Sequence, residues 1–201
     1  MLPLEKPNRS FALHPHKIIV YLLIAGITML FLSLTMSYAY TRFQFNLEPI
    51  RLPVIFFFNT VLLIASSYLL WKAKKYYEKD ETSRYKSALF KVIGLTLAFL
   101  IGQAIGWSQL LSQEINVAYS NAASYLYLIS GVHFLHVLAG LPFLVLFYIA
   151  AVRRMVEPVG VLLYFSDPEK RMRLHLLGVY WHFLDALWIY LITFFAANYL
   201  L

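Results

Sequence analysis

The sequence predicts an all-α, polytopic membrane protein: a single bundle of five transmembrane helices with its N-terminus cytoplasmic and its C-terminus periplasmic. Three observations predict it. Of 201 residues, 61% are hydrophobic and only 13% charged, a balance far from that of a soluble domain. Five apolar runs, near residues 17–40, 52–71, 89–111, 123–152 and 175–201, are long enough for a bilayer that takes about 20 helical residues to cross. None shows the period-two alternation of a membrane barrel strand, so the runs read as helices.

Residues 1–16 form an N-terminal arm with Pro3, Pro7 and Pro15, expected to lie extended along the inner surface. The run after it spans about 23 residues, against roughly 7 to 15 for a signal-peptide core, and is therefore expected to stay in the membrane. A short outer loop with Glu48 and Pro49 follows, and Pro53 falls at the start of the second helix, where its missing N–H costs little. Asn59, Thr60, Ser66 and Ser67 on that helix are small polar groups fit to bond across helices. Lys72–Ser87, with Glu78, Asp80 and Glu81 among its lysines, reads as a solvated loop. The third helix carries Gly102 and Gly106, a small-xxx-small pair that permits close approach, and Gln103, expected to donate across an interface. The loop Ser112–Ala122 leads to the fourth helix. The loop Arg153–Leu174 contains Ser166–Glu169 (Ser-Asp-Pro-Glu), expected to start a short surface helix, and residues 175–201 form the last span.

Charge placement sets the orientation. Of 17 Lys and Arg residues, all but Arg42 and Arg51 fall in the arm (Lys6, Arg9, Lys17), in the second loop (Lys72, Lys74, Lys75, Lys79, Arg84, Lys86, Lys91) or in the fourth (Arg153, Arg154, Lys170, Arg171, Arg173). These share one side of a five-helix topology, which is the cytoplasmic side. The net charge of +7 therefore belongs to a membrane face and not to a nucleic-acid partner. Arg153, Arg154, Lys170, Arg171 and Arg173, next to helix ends, are expected to hold anionic lipid headgroups at about 1 kcal/mol each. Cysteine is absent, which excludes disulfides, iron–sulfur clusters and thiolate metal sites.

Chemistry is sought in four side chains inside the spans. Asp185 is the sole acid within them, and a carboxylate at that depth costs about 3 kcal/mol on insertion scales. His182 precedes it by three residues on the same helix face, and His133 and His136 repeat that spacing one helix earlier. Haem ligation needs facing histidines, and a di-haem arrangement needs pairs about two turns apart rather than on one turn. A proton relay needs further acids. The residue reading therefore favours a structural role, with His182 and Asp185 satisfying each other or pairing with His133 and His136 across an interface. Tyr180 and Trp181 read as candidates for an interfacial belt, and Trp188 as a deep helix contact.

At these residues the chain resembles subunit III of the haem-copper (cytochrome c) oxidases, in the short five-helix bacterial form. Tyr180-Trp181-His182-Phe183 with Asp185 and Trp188 is similar to the family's last-helix motif, and Gly131-Val132-His133-Phe134-Leu135-His136-Val137 with Gly140 to the preceding one. Asn59-Thr60, Ser66-Ser67 and Gln103 also sit as in the family. Two family acids are missing: Ala25-Gly26-Ile27 stands where a carboxylate is usual, and Gly106 stands at a second such place. The resemblance implies a subunit without a cofactor of its own, not catalytic alone, in the bacterial inner membrane. Haems and copper would reside in partner subunits, catalytic subunit I foremost, within an oxidase and through it a larger respiratory supercomplex. It also implies bound phospholipid, and support for the catalytic subunit and its proton uptake. Accessory subunits of a quinol oxidase or nitric oxide reductase share the motifs. A small stand-alone haem-binding membrane protein is the alternative from another class.

Overall fold

The computed structural model describes residues 15–200, and among them every regular element is helical: α1 (Pro15–Phe45), α2 (Val54–Glu78), α3 (Thr82–Ser112), α4 (Asn121–Arg154), α5 (Pro158–Ser166) and α6 (Pro168–Leu200). Five of these, all but α5, are long and apolar enough to cross a membrane. Most of the expected arm, with Lys6 and Arg9, lies outside the described residues, while Pro15 and His16 already belong to α1.

Each span exceeds its expected length, mostly at the end that carries the lysines and arginines, called the basic end below. α4 and α6, with 34 and 33 residues, extend about 50 Å at 1.5 Å per residue, well beyond a hydrocarbon core of about 30 Å, so they tilt or protrude. The charged stretch Lys72–Ser87 is not a loop. α2 continues to Glu78, α3 starts at Thr82, and only Lys79–Glu81 turns the chain, with Asp80 at φ 56°. Charge marks where the helices leave the bilayer, not where they stop. Tertiary packing keeps the extra turns helical: Tyr77 and Tyr85 are buried there against Tyr164 and Phe165 of α5.

The segment Ser166–Glu169 starts no short helix: Ser166 closes α5 and Pro168 opens α6. Asp167 caps it, its carboxylate accepting from the backbone N–H of Glu169 (2.9 Å) and Lys170 (3.3 Å), with Pro168 in the first turn. The Lys170 ammonium, 2.9 Å away, holds this carboxyl below its ordinary range. The short helix of this region is α5, just upstream. It is fastened by Tyr77, whose hydroxyl donates to the Tyr164 carbonyl at 2.9 Å, and Gly160 lets it fold back against the Arg154 carbonyl.

α2 and α3 form an antiparallel hairpin with the most extensive contact in the molecule. The two glycines explain it: a Cβ on Gly102 would run into Asn59, and one on Gly106 into Phe56. α4 and α6 pack next to this hairpin, with Gly140 of α4 against the rings of Tyr180 and Trp181. α1 lies outermost, touching α4 and α6. Two apolar clusters fill the bundle. One contains Phe31, Phe56, Phe99 and Trp188, and the other, toward the basic end, contains Tyr77, Tyr85, Leu144 and Trp181.

Candidate functional site

The polar side chains that α2 and α6 contribute form a ladder. Trp188 Nε1 donates to Thr60 Oγ1 (3.1 Å), Trp181 Nε1 donates to Ser66 Oγ (3.4 Å), Ser67 Oγ bonds His182 Nδ1, and Lys74 Nζ reaches His175 Nδ1 (3.5 Å). From Thr60–Trp188, through the adjacent Ser66–Trp181 and Ser67–His182 contacts, to Lys74–His175, numbers rise on α2 as they fall on α6 in steps of about seven. Two antiparallel helices give that relation when one stripe of each, repeating every two turns, faces the other. Asn59 extends the polar layer to α3, its Nδ2 donating to Gln103 Oε1 at 3.5 Å, so Gln103 accepts where it was expected to donate. Trp188 is at the contact the sequence suggested, 1% exposed and edge-on to Phe56 and Phe99. Trp181 is equally buried and belongs to no interfacial belt.

The four titratable side chains separate. His133 is fully buried and Asp185 is 4% exposed, whereas His136 is half-buried and His182 lies on the outside of the bundle. Helix geometry explains His182. α6 turns Trp181, Asp185 and Trp188 inward, and the residue after Trp181 is rotated about 100° from it. Among the described residues no hydrogen bond or ion pair links His182 to Asp185, or either of them to His133 or His136, so the expected pairing is replaced by the Ser67–His182 bond. His136 Nδ1 turns back to the Val132 carbonyl (2.7 Å), while Tyr180 of α6 donates to the His136 carbonyl (3.0 Å). Ser67 also stands beside the Asp185 carboxyl, whose Oδ2 finds no hydrogen-bond partner among the described residues.

His133 is the most enclosed of the four. Its ring lies 5.1 Å from that of Trp188 and 5.9 Å from Phe99, with Phe31 at 6.4 Å, and neither nitrogen meets a hydrogen-bond partner among the described residues. Such a cage gives the ring apolar contacts on several sides and no open side toward a porphyrin. Among the described residues no three or more His, Cys, Asp or Glu side chains gather in a metal-binding arrangement.

The basic cluster of the fourth loop is largely neutralised from within. Lys170 pairs with Asp167 (2.9 Å), Arg173 with Glu169 (2.6 Å) and Arg171 with Glu78 (3.8 Å), so only Arg153 and Arg154 of the five have no carboxylate within 4 Å among the described residues. Sequence reasoning missed the α2–α6 ladder as a unit. Its signal was the matching two-turn spacing of Thr60, Ser66–Ser67 and Lys74 with Trp188, Trp181–His182 and His175.

Comparison with known proteins fits this helix set. The family model described as Cytochrome c oxidase subunit III matches residues 32–198. The chain is 29% identical over 134 residues to the "Probable cytochrome c oxidase subunit 3" of Mycobacterium tuberculosis, covering 67% of this chain and 61% of that protein. It is 29% identical over 147 residues to that of Rickettsia conorii, covering 73% of this chain and 47% of the relative. A third relative, 23% identical over 146 residues, is named "Probable quinol oxidase subunit 3" in Staphylococcus saprophyticus, with 73% of this chain and 67% of that protein covered. The chain thus spans about half to two-thirds of the length of these relatives.

Proposed function

Because the chain belongs to the cytochrome c oxidase subunit III family, we propose that it is the accessory, non-redox subunit of a haem-copper terminal oxidase, seated in the bacterial inner membrane beside catalytic subunit I. The family match across residues 32–198 carries this reading. The arrangement of polar groups supports it: they spend their bonding on neighbouring helices and do not converge on a common centre. The chain then reduces nothing itself. It stabilises the catalytic subunit, holds lipid at their boundary and sustains proton uptake, while the haems and copper of the partners carry electrons to oxygen. The basic end faces the cytoplasm on this reading.

Cytochrome c is the first choice of electron donor, since most of the named relatives are cytochrome c oxidase subunits. The relative named for a quinol oxidase supports quinol as the second.

The test is a gentle-detergent pull-down of tagged chain from native membranes, with a reduced-minus-oxidised spectrum of what accompanies it. The expected result is oxidase haem bands together with a larger multi-helix partner, and oxidation of added cytochrome c or quinol by the eluate identifies the donor. Recovery of the chain alone with its own haem overturns the proposal.

A further inference from the structure

A groove between α2 and α6 has two polar poles and an apolar middle. It opens beside the exposed His182 and encloses about 170 Å³, the scale of the cavity of about 150 Å³ that takes a benzene ring in an apolar protein core. At one pole Lys74 Nζ lies 3.5 Å from His175 Nδ1. An ammonium group can only donate, so this Nδ1 accepts, the imidazole is neutral and its proton is on Nε2. At the other pole Ser67 Oγ bonds His182 Nδ1. A hydroxyl donates or accepts, which lets His182 Nε2 take either role. Among the described residues neither Nε2 has a hydrogen-bond partner.

The two histidines stand seven residues apart on one face of α6, a rise of about 10.5 Å. A hydrogen bond of about 2.9 Å at each end leaves about 5 Å between the polar atoms of a ligand lying along the helix. That is the separation of two oxygens at opposite corners of one six-membered ring. Between the poles Gly178 keeps the α6 surface flat, and a Cβ there meets nothing within 4 Å. Val179, Leu70 and Trp71 form the apolar walls. Lys75 Nζ, 3.7 Å over the Trp71 ring, and Tyr68, stacked on it at 5.9 Å, hold the indole in place. Hydrocarbon alone fills the middle and leaves both Nε2 atoms unpaired.

We infer that this groove binds the head group of a membrane para-quinone or its quinol, with one ring oxygen against His175 Nε2, the other against His182 Nε2, and the ring over Gly178 beside Trp71. An apolar tail leaves through the open side into the bilayer. This goes beyond the oxidase reading, in which the chain itself needs no ligand. A chain that recruits no oxidase yet binds the quinone defeats that reading and leaves this one standing.

Full-length chain in phosphatidylcholine nanodiscs, titrated with decylubiquinone, reports binding as saturable quenching of tryptophan fluorescence. His175→Phe and His182→Phe should each weaken the affinity about tenfold, the factor matching about 1.4 kcal/mol for one lost hydrogen bond. Gly178→Leu keeps both poles and fills the middle, so saturable quenching should vanish. With the wild-type chain and carbonyl-labelled quinone, the infrared carbonyl bands should move down in frequency, as two hydrogen bonds require. Duroquinone should displace decylubiquinone, whereas durene, the same methylated ring without oxygens, should not. These last two measurements use the unaltered chain, so misfolding of a variant leaves them to decide. Quenching that rises linearly without saturation, wild-type affinity in the Gly178 variant and both histidine variants, or displacement by durene as effective as by duroquinone each overturns the proposal. The last of these assigns the groove to hydrocarbon.

Discussion

Two motifs of the same shape, His133-x-x-His136 on α4 and His182-x-x-Asp185 on α6, meet opposite surroundings. His182 finds a hydroxyl on α2 and takes its place in a ladder of cross-helix bonds, while His133 finds only rings. Spacing determines which residues share a face, and the neighbouring helix determines what that face is for. The energetic consequences differ in sign. A cross-helix hydrogen bond in a membrane bundle averages about 0.6 kcal/mol, so the ladder sets register by accumulation. A buried polar group without a partner costs about 1–3 kcal/mol, so His133 is held by its packing and in spite of its polarity.

The comparison is broken most severely where the two regions join. Trp188 bonds Thr60 in the ladder and lies against the His133 ring, so Trp188→Ala empties a large volume from both. The expected loss is about 3 kcal/mol or more, read as a lower midpoint when helicity is titrated with denaturing detergent. An unchanged midpoint would mean that the ladder and the cage are not mechanically coupled. Next in size is Gly106→Ala, which drives a methyl group into Phe56 and forces α2 from α3, at a cost of about 1–3 kcal/mol. Gly26→Ala, where a Cβ meets nothing within 4 Å, is the control and should lie near zero. Equal effects at the two glycines would remove the close approach as the reason for the Gly102–Gly106 pair.

The five spans, their order and a close helix approach at Gly102 and Gly106 were legible in the sequence, because hydropathy and small-residue spacing are local signals; that α2 is the helix approached was not. The helix ends were not. Charged residues such as Lys75 and Glu78 read as loop, yet Tyr77 behind them is buried and keeps the turn wound. Which polar groups meet was legible only in part. Thr60, Ser66 and Ser67 were recognisable as cross-helix donors and acceptors, but their partners lie more than 110 residues away, and the rotation of α6 decides which side each faces. That rotation places Trp181 inward and His182 outward, opposite to what a shared His–Asp face suggests. The neutralisation of Arg171 by Glu78 was hidden for the same reason, since it joins two helices 93 positions apart in sequence.

The cage gives the third prediction. His133→Leu removes two unpartnered nitrogens from an apolar site at a modest change in volume, so the midpoint should rise by about 1 kcal/mol. A fall of that size would show that the imidazole has a partner in the membrane, and the contrast with His182 would then collapse.

The ladder gives the smallest effect and the sharpest comparison. Ser67→Ala should cost about 0.6 kcal/mol and His182→Phe a similar amount, and the double variant should cost no more than either alone, because each removes the same bond. The same cycle between Ser67 and His133 should be additive, since no bond joins them. Additivity in the first cycle would mean that His182, exposed on the bundle surface, gains nothing from Ser67. Its polar tip at membrane depth would then need another partner on the outer face of α2 and α6.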